Sequence, residues 1–328
     1  MIDTLRSCAE TLFFRLERAV TAALYPWCLL RRRLGERPRV PILLYHQVGR
    51  PVEGVPACAD CVSPDRFERQ ILAILDAGYE VIPLSSLVRA LRDGRTPLPA
   101  RSVVLTFDDG FRGQFVNAYP VLRRHRLPAT LFVVPGYVGR YSFYRHLGVE
   151  DAPAARGGTP PLAWLPLSWD EVEDMHRHGV EVGSHSMSHR SLGRLSGAEA
   201  EFEARRSREI LAERLGAPID LFAYPFGSQA YKDFDQSLEE MLRGMEYDGA
   251  CTTVIGRCAP GVDLYALPRI PMEEADTPFR VRCKLAGAYD WVGTVKSICQ
   301  RLVARRDRVD AGLPFDETSG LGAGFTRT

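Results

Sequence analysis

The chain has 328 residues, long for one ordinary domain yet within the range of a single α/β barrel. With 45% hydrophobic and 25% charged residues and a net charge of +1, it has the composition of a soluble globular protein, and no global charge recruits nucleic acid or an acidic surface. Eight cysteines in so long a chain exclude a disulfide scaffold. Cys58 and Cys61 lack the second pair that a zinc finger needs, which leaves free thiols or a disulfide or metal clip.

Residues 1–39 form a segment of their own. Leu5, Ala9, Leu12, Phe13, Leu16, Val20 and Leu24 recur at helical spacing, and Pro26 is expected to interrupt the pattern. Eight arginines accompany four acids here, densest at Arg31, Arg32 and Arg33. The apolar run at 19–30 is too short to span a bilayer, and it lacks the basic start and cleavage pattern of a secretory signal. The location expected is therefore cytoplasmic or peripheral to a membrane. A helix lying on an anionic membrane surface and a helix packed on the domain both fit residues 1–33.

From residue 40 to 300, the span expected to form the catalytic domain, short apolar runs alternate with helical patterns. Strands are expected at 42–45, 79–84, 103–107, 129–134, 180–182, 221–224 and 250–254, joined in parallel by crossover helices. One helix is expected at 64–77, with Ser63 as N-cap, Pro64 in first position, and Phe67, Ile71, Ile74 and Leu75 on one face. Another is expected at 198–215. Residues 140–166 show neither period. They hold Tyr141, Phe143, Tyr144 and Trp164 around a Pro/Gly-rich middle, a long loop with rings suited to stacking on sugar faces. Residues 301–328 read as a C-terminal tail.

The polar residues that stand out sit where the apolar runs stop. His46 follows "ILLY", Asp108 and Asp109 follow "VVLTF", and His185 and His189, in "GSHSMSH", follow "VEV". Tyr224, Pro225 and Gly227 close "LFAYPFG". Side chains at the carboxyl ends of parallel barrel strands converge on one mouth, so these residues are expected in one pocket. Adjacent carboxylates at a buried strand end repel, and a cation resolves the conflict. His185 and His189, four apart, are expected to face the same way on one helical turn. Two imidazoles and a carboxylate suit a divalent ion and leave coordination open for water and substrate. With Asp109 on the cation, Asp108 stays ionised beside it as a base.

"TFDDG", "HSMSH" and "FAYPFG" resemble the successive motifs of the polysaccharide deacetylases, the NodB-homology group or carbohydrate esterase family 4, over roughly residues 40–295. The resemblance implies a distorted (β/α)7-type barrel with its active site at the C-terminal ends of the strands. It also implies metal-dependent hydrolysis of N-acetyl groups on the amino sugars of a poly- or oligosaccharide, releasing acetate. By the same resemblance Asp108 is the general base, and Asp109, His185 and His189 bind a divalent metal, usually Zn2+.

The chain departs from the common family pattern twice. Ala223 stands where an arginine is frequent, and no histidine follows His189 to serve as the late general acid. "PILLYHQV" resembles the Tyr-His segment of the poly-N-acetylglucosamine deacetylases, which implies that His46 is the acid. Arg269 of "LPRIP" is expected to replace the missing arginine and pair with Asp108. "GAYDW" is similar to a motif whose aspartate orients the acid and whose tryptophan lines the acetate pocket, and Asp290 and Trp291 enter as supporting candidates on that basis. A backbone N–H near Tyr224 is expected to hold the oxyanion. Alternatives are a deacylase of a lipid-linked sugar or peptidoglycan and a non-catalytic glycan-binding relative. An iron oxygenase also uses two histidines and a carboxylate, but has no use for a second adjacent aspartate.

Overall fold

The computed structural model describes residues 2–35, 39–50, 61–139 and 161–298, with side chains from residue 13 onward. Its strands are β1 (Ile42–Tyr45), β2 (Glu80–Val81), β3 (Ser102–Phe107), β4 (Thr130–Val133), β5 (Glu181–Ser184), β6 (Leu221–Ala223), β7 (Gly249–Ile255) and β8 (Leu267–Pro271). All pairings among them are parallel. β1 is the closing stave: Ile42 to Tyr45 run opposite Val104 to Phe107 of β3, and Leu43 lies opposite Ile270 of β8. The ring β1-β8-β7-β6-β5-β4-β3 is thereby complete, with seven strands, and β2 adds outside it to the first residues of β3. The architecture is a distorted (β/α)7 barrel.

Strand periodicity sorts the apolar residues into two layers. Val103, Leu105 and Phe107 of β3 join Leu43, Tyr45, Leu131 and Val133 beneath the helices. Val104 joins Ile42, Phe132, Ala223, Cys251 and Leu267 in the barrel interior. Continued by two residues, the inward face of β3 runs from Val104 through Thr106 to Asp108. The same alternation on β8 turns Arg269 inward with Leu267. β1, β3, β4 and β6 are buried on both faces, which is why these parallel strands read as unbroken apolar runs.

The expected strands are present, with one shortened and one unforeseen. The run at 79–84 yields only the two residues of β2, because Pro83 is the N-cap of α3 (Leu84–Asp93). β8 went unforeseen because the link from β7 holds no helix and the strand itself contains Pro268 and Pro271. α2 (Pro64–Asp76) begins after Ser63 with proline in its first turn. The Ser63 side chain makes no cap, however; its N–H and Oγ donate to the Glu274 carboxylate at 2.7 and 3.0 Å. α4 (Tyr119–His125), α5 (Trp169–Arg177) and α7 (Gln236–Gly244) cover the barrel with α6 (Gly197–Leu215) and α8 (Pro278–Ala286). α5 and α6 each start in a capping box, Ser168 with Glu171 and Ser196 with Glu199.

α1 (Ile2–Arg33) continues through Pro26, so the expected interruption does not end the helix. One face of it packs on the domain. Glu17 pairs with Arg280 of α8 at 2.8 Å, the Tyr25 ring meets the Phe279 ring edge-on at 5.5 Å, and Trp291 Nε1 donates to Thr21 Oγ1 at 3.2 Å. Among the described residues, no helix is long and apolar enough to cross a membrane.

Candidate metal centre and cleft

The ends of β1, β3 and β5 and the turn after β6 open into one cleft of about 530 Å³. His46, Asp108, Asp109, His185, His189 and Phe226 are among its lining residues. Asp108 is 1% exposed and held from below by Arg269, whose Nη1 and Nη2 donate to its two carboxylate oxygens at 2.7 and 2.6 Å. Arg269 is itself fully buried and donates Nε to the Thr252 carbonyl at 2.8 Å. Burial alone would push the Asp108 carboxyl up. The Arg269 guanidinium, helped by His185, outweighs that and holds it below the usual carboxylate range.

Asp109, His185 and His189 are all buried, and their ligating atoms lie within 4.8 Å of one another. Asp109 Oδ1 is 3.4 Å from His185 Nε2 and 3.2 Å from His189 Nε2. A buried carboxylate oxygen facing two imidazole nitrogens, with no hydrogen-bond donor assigned to it, fits a divalent cation. Burial disfavours the Asp109 anion, yet the two imidazoles overcome this and keep it well below the usual range. His185 Nδ1 lies 2.8 Å from the Ala223 carbonyl, an acceptor, which places the ring proton there and leaves Nε2 for a metal.

The two histidines do not share a helical turn. β5 stops at Ser184, and residues 185–190 form an irregular loop in which Ser186 (φ 61°) and His189 (φ 57°) are left-handed. Asp109 (φ 75°) and Phe226 (φ 61°) are left-handed as well, so four of the seven such non-glycine residues among those described belong to this site. The loop is braced from within and from α6. The His189 N–H donates to Ser186 Oγ at 2.9 Å. Ser188 donates its N–H and Oγ–H to the two oxygens of Glu203, at 2.8 and 2.5 Å. Glu203 is 4% exposed.

Gln114 performs the matching task at the other wall. It lies at the start of a π-helical turn, Gln114–Ala118, and its Nε2 donates to the carbonyls of both His46, at 2.8 Å, and Asp108. The ends of β1 and β3 are thus tied together. Neither Gln114 nor Glu203 was foreseen, because nothing in their local sequence distinguishes a buried bracing side chain from a polar helix residue.

The supporting candidates fare differently. The Tyr224 ring is fully buried and stacks on Phe234, its hydroxyl pushed up by burial, and its N–H donates to the Cys251 carbonyl at 3.0 Å. That N–H is committed to the sheet. The N–H of Phe226, two residues on, has no acceptor among the described residues, and Phe226 lies on the cleft wall. Asp290 pairs with Arg257 at 2.9 Å and Trp291 with α1; neither is among the residues lining the cleft. Trp164 is buried, edge-on to Phe111, donating to the Arg50 carbonyl at 2.9 Å, so it offers no face to a sugar. Tyr141, Phe143, Tyr144, Cys58 and the tail at 301–328 lie outside the described residues. Cys61 is buried, with its Sγ 3.3 Å from the Gly49 carbonyl oxygen.

Residues 95–248 match the family described as polysaccharide deacetylase. YxkH of Bacillus subtilis (strain 168), named as a candidate polysaccharide deacetylase, is 24% identical over 241 residues, 72% of each chain. A poly-beta-1,6-N-acetyl-D-glucosamine N-deacetylase of Staphylococcus aureus (strain MRSA252) is 26% identical over 175 residues, 51% of this chain and 53% of that protein. This chain therefore spans about half the length of that relative. The solved structure of the Streptococcus pyogenes deacetylase PplD in complex with acetate superposes with a TM-score of 0.62 at 24% identity, over 76% of this chain and 99% of that one. That likeness establishes the fold.

Two outcomes follow from the bracing contacts. Glu203→Ala should lower affinity for a divalent metal by about 10–100-fold in competitive chelator titration, because the loop loses the carboxylate that fixes Ser188. Unchanged affinity would mean that the loop is held by other contacts. Arg269→Met should destabilise the metal-free protein by about 3–5 kcal/mol in urea unfolding, since it strands the buried Asp108 carboxylate. Asp108→Asn in the same chain should recover part of that loss, and its failure to do so would remove the pair as the cause.

Proposed function

We propose, from the match of residues 95–248 to the family described as polysaccharide deacetylase, that this protein removes N-acetyl groups from the amino sugars of a polysaccharide and releases acetate. The observation that carries this reading is the conjunction in one cleft of the Asp109–His185–His189 cluster with a second carboxylate, Asp108, held by Arg269. A divalent cation on those three ligands, for which two imidazoles and a carboxylate suit zinc, supplies Lewis acidity and an acidified water.

The roles of the chain's own residues follow from their positions. Asp108 accepts the proton of the attacking water, its ionised form maintained by Arg269. Phe226 presents its backbone N–H to the oxyanion of the tetrahedral intermediate, in place of the committed Tyr224 N–H. His46, which lines the cleft just after the end of β1, donates a proton to the departing amine, which is too poor a leaving group to depart as an anion. Gln114 holds the backbone of the base and of the acid in one register. The name of the staphylococcal relative supports a β-1,6-linked N-acetylglucosamine polymer as the first substrate to try.

Acetate release from N-acetylglucosamine oligomers by the metal-loaded protein, lost on chelation, tests the reading as a whole. Asp108→Asn should keep the metal and lose about 10²–10⁴-fold in turnover, because an amide cannot take the water proton. Near-normal turnover would place the base elsewhere. His46→Ala should lower turnover with metal content unchanged, and the loss should shrink on an activated aryl ester, whose leaving group needs no proton. An equal loss on amide and ester would give His46 a binding role instead.

A further inference from the structure

α1 has a second face that the domain does not use. Glu17 and Thr21 are buried against the domain, with Leu24 and Cys28 half-buried beside them and Arg32 reaching Tyr79. Roughly 120° around the helix from that face, Phe13, Leu16, Ala19, Ala23, Trp27, Leu30 and Leu34 form a continuous exposed stripe at three- and four-residue spacing. Seven of the fourteen large apolar side chains most exposed among the described residues lie between residues 13 and 34, Trp27 at 55% and Leu34 at 74%. Scattered exposed leucines need no explanation, but a stripe of this length does.

Charge decides what covers it. Residues 13–35 contain five arginines and one acid, and that acid, Glu17, is buried and paired with Arg280. Arg15, Arg18, Arg31 and Arg33 are exposed. A second copy of the helix laid parallel on the stripe would set Arg15 and Arg33, which flank it, each against its own copy. A copy laid antiparallel about Ala23 would bring Arg15 of one helix near Arg31 of the other, and no acid at residues 18–35 answers these charges. An apolar stripe bordered by cations alone matches an anionic lipid surface. No helix among the described residues can cross a membrane, so the match is to a helix lying in the interface.

We propose that α1 docks this protein onto anionic lipid, with the stripe from Phe13 to Leu34 sunk at the headgroup–acyl boundary and the arginines at lipid phosphates. The docking helix is joined to the cleft by one short element. The helical stretch at 290–298 receives α1 at Trp291 and reaches the cleft rim at Lys296. Those residues are about 7.5 Å apart along a helix axis, so docking holds the cleft rim near the lipid surface.

Co-sedimentation of the full chain with vesicles tests this and does not depend on the deacetylase reading. Vesicles rich in phosphatidylglycerol should bind on the order of tenfold more tightly than phosphatidylcholine alone. The double variant Leu16→Asp, Trp27→Asp should lose on the order of 100-fold. Arg15→Glu with Arg33→Glu, which leaves the stripe intact, should lose on the order of tenfold, as should raising the salt. Thermal unfolding of each variant confirms that the fold persists. Equal binding to both vesicle types, or wild-type binding by the Asp double variant, overturns the proposal. So does a dimer in sedimentation velocity that the Asp double variant dissolves, since the stripe would then belong to a second copy.

Discussion

A buried carboxylate and a buried guanidinium in the barrel interior govern the rest of this structure. Neither Asp108 nor Arg269 is tolerable alone at its depth, and each makes the other possible through two parallel hydrogen bonds. The pair spans from the end of β3 to the middle of β8, and β1 lies between those strands. Barrel closure and the ionisation of the acid at the cleft floor are therefore one event. If β1 did not pair on both sides, Arg269 would have no carboxylate and Asp108 would have no reason to stay charged beside Asp109.

Two further buried polar residues give the cleft its shape. Glu203 on α6 fixes the histidine loop through Ser188, and Gln114 fixes the ends of β1 and β3 through their carbonyls. Both act on backbone or on a residue between the functional ones. That is the form expected where left-handed residues must be held against their own preference, and Asp109, Ser186, His189 and Phe226 are four such residues. Local strain, internal bracing and a cluster of metal-ligating atoms coincide at the same strand ends.

The periphery repeats this logic with weaker forces. α8 carries Arg280, which joins Glu17 of α1 to Asp276, and Lys284, which joins Asp276 to the Pro271 carbonyl at the end of β8. Pro271 lines the cleft. A line of buried ion pairs thus runs from the N-terminal helix to the cleft wall, and α1 is a structural part of the domain on one face while it remains amphipathic on the other.

The sequence by itself determined the strand ends and the residues found at them. An apolar run that stops at "YHQ", "FDDG" or "GSHS" marks a carboxyl end whatever the topology, because strand burial and its polar boundary are local properties. Six of the ring's seven strands were legible as well, and the family resemblance implied the barrel. The run at 79–84 became β2, outside the ring, and the seventh strand is β8, whose prolines and helix-free approach hide it from any pattern rule. Tertiary structure alone decided how those ends are used. His185 and His189 meet through a braced, partly left-handed loop, although their spacing suits a helix. Tyr224 packs into the core with Phe222 and stacks its ring on Phe234. Asp290 lies with Arg257, and Glu203 and Gln114 became bracing residues. Each of these outcomes depends on a contact beyond the local sequence period, from 10 residues apart for Tyr224 and Phe234 to 68 for Gln114 and His46, and such a contact exists only in the folded chain.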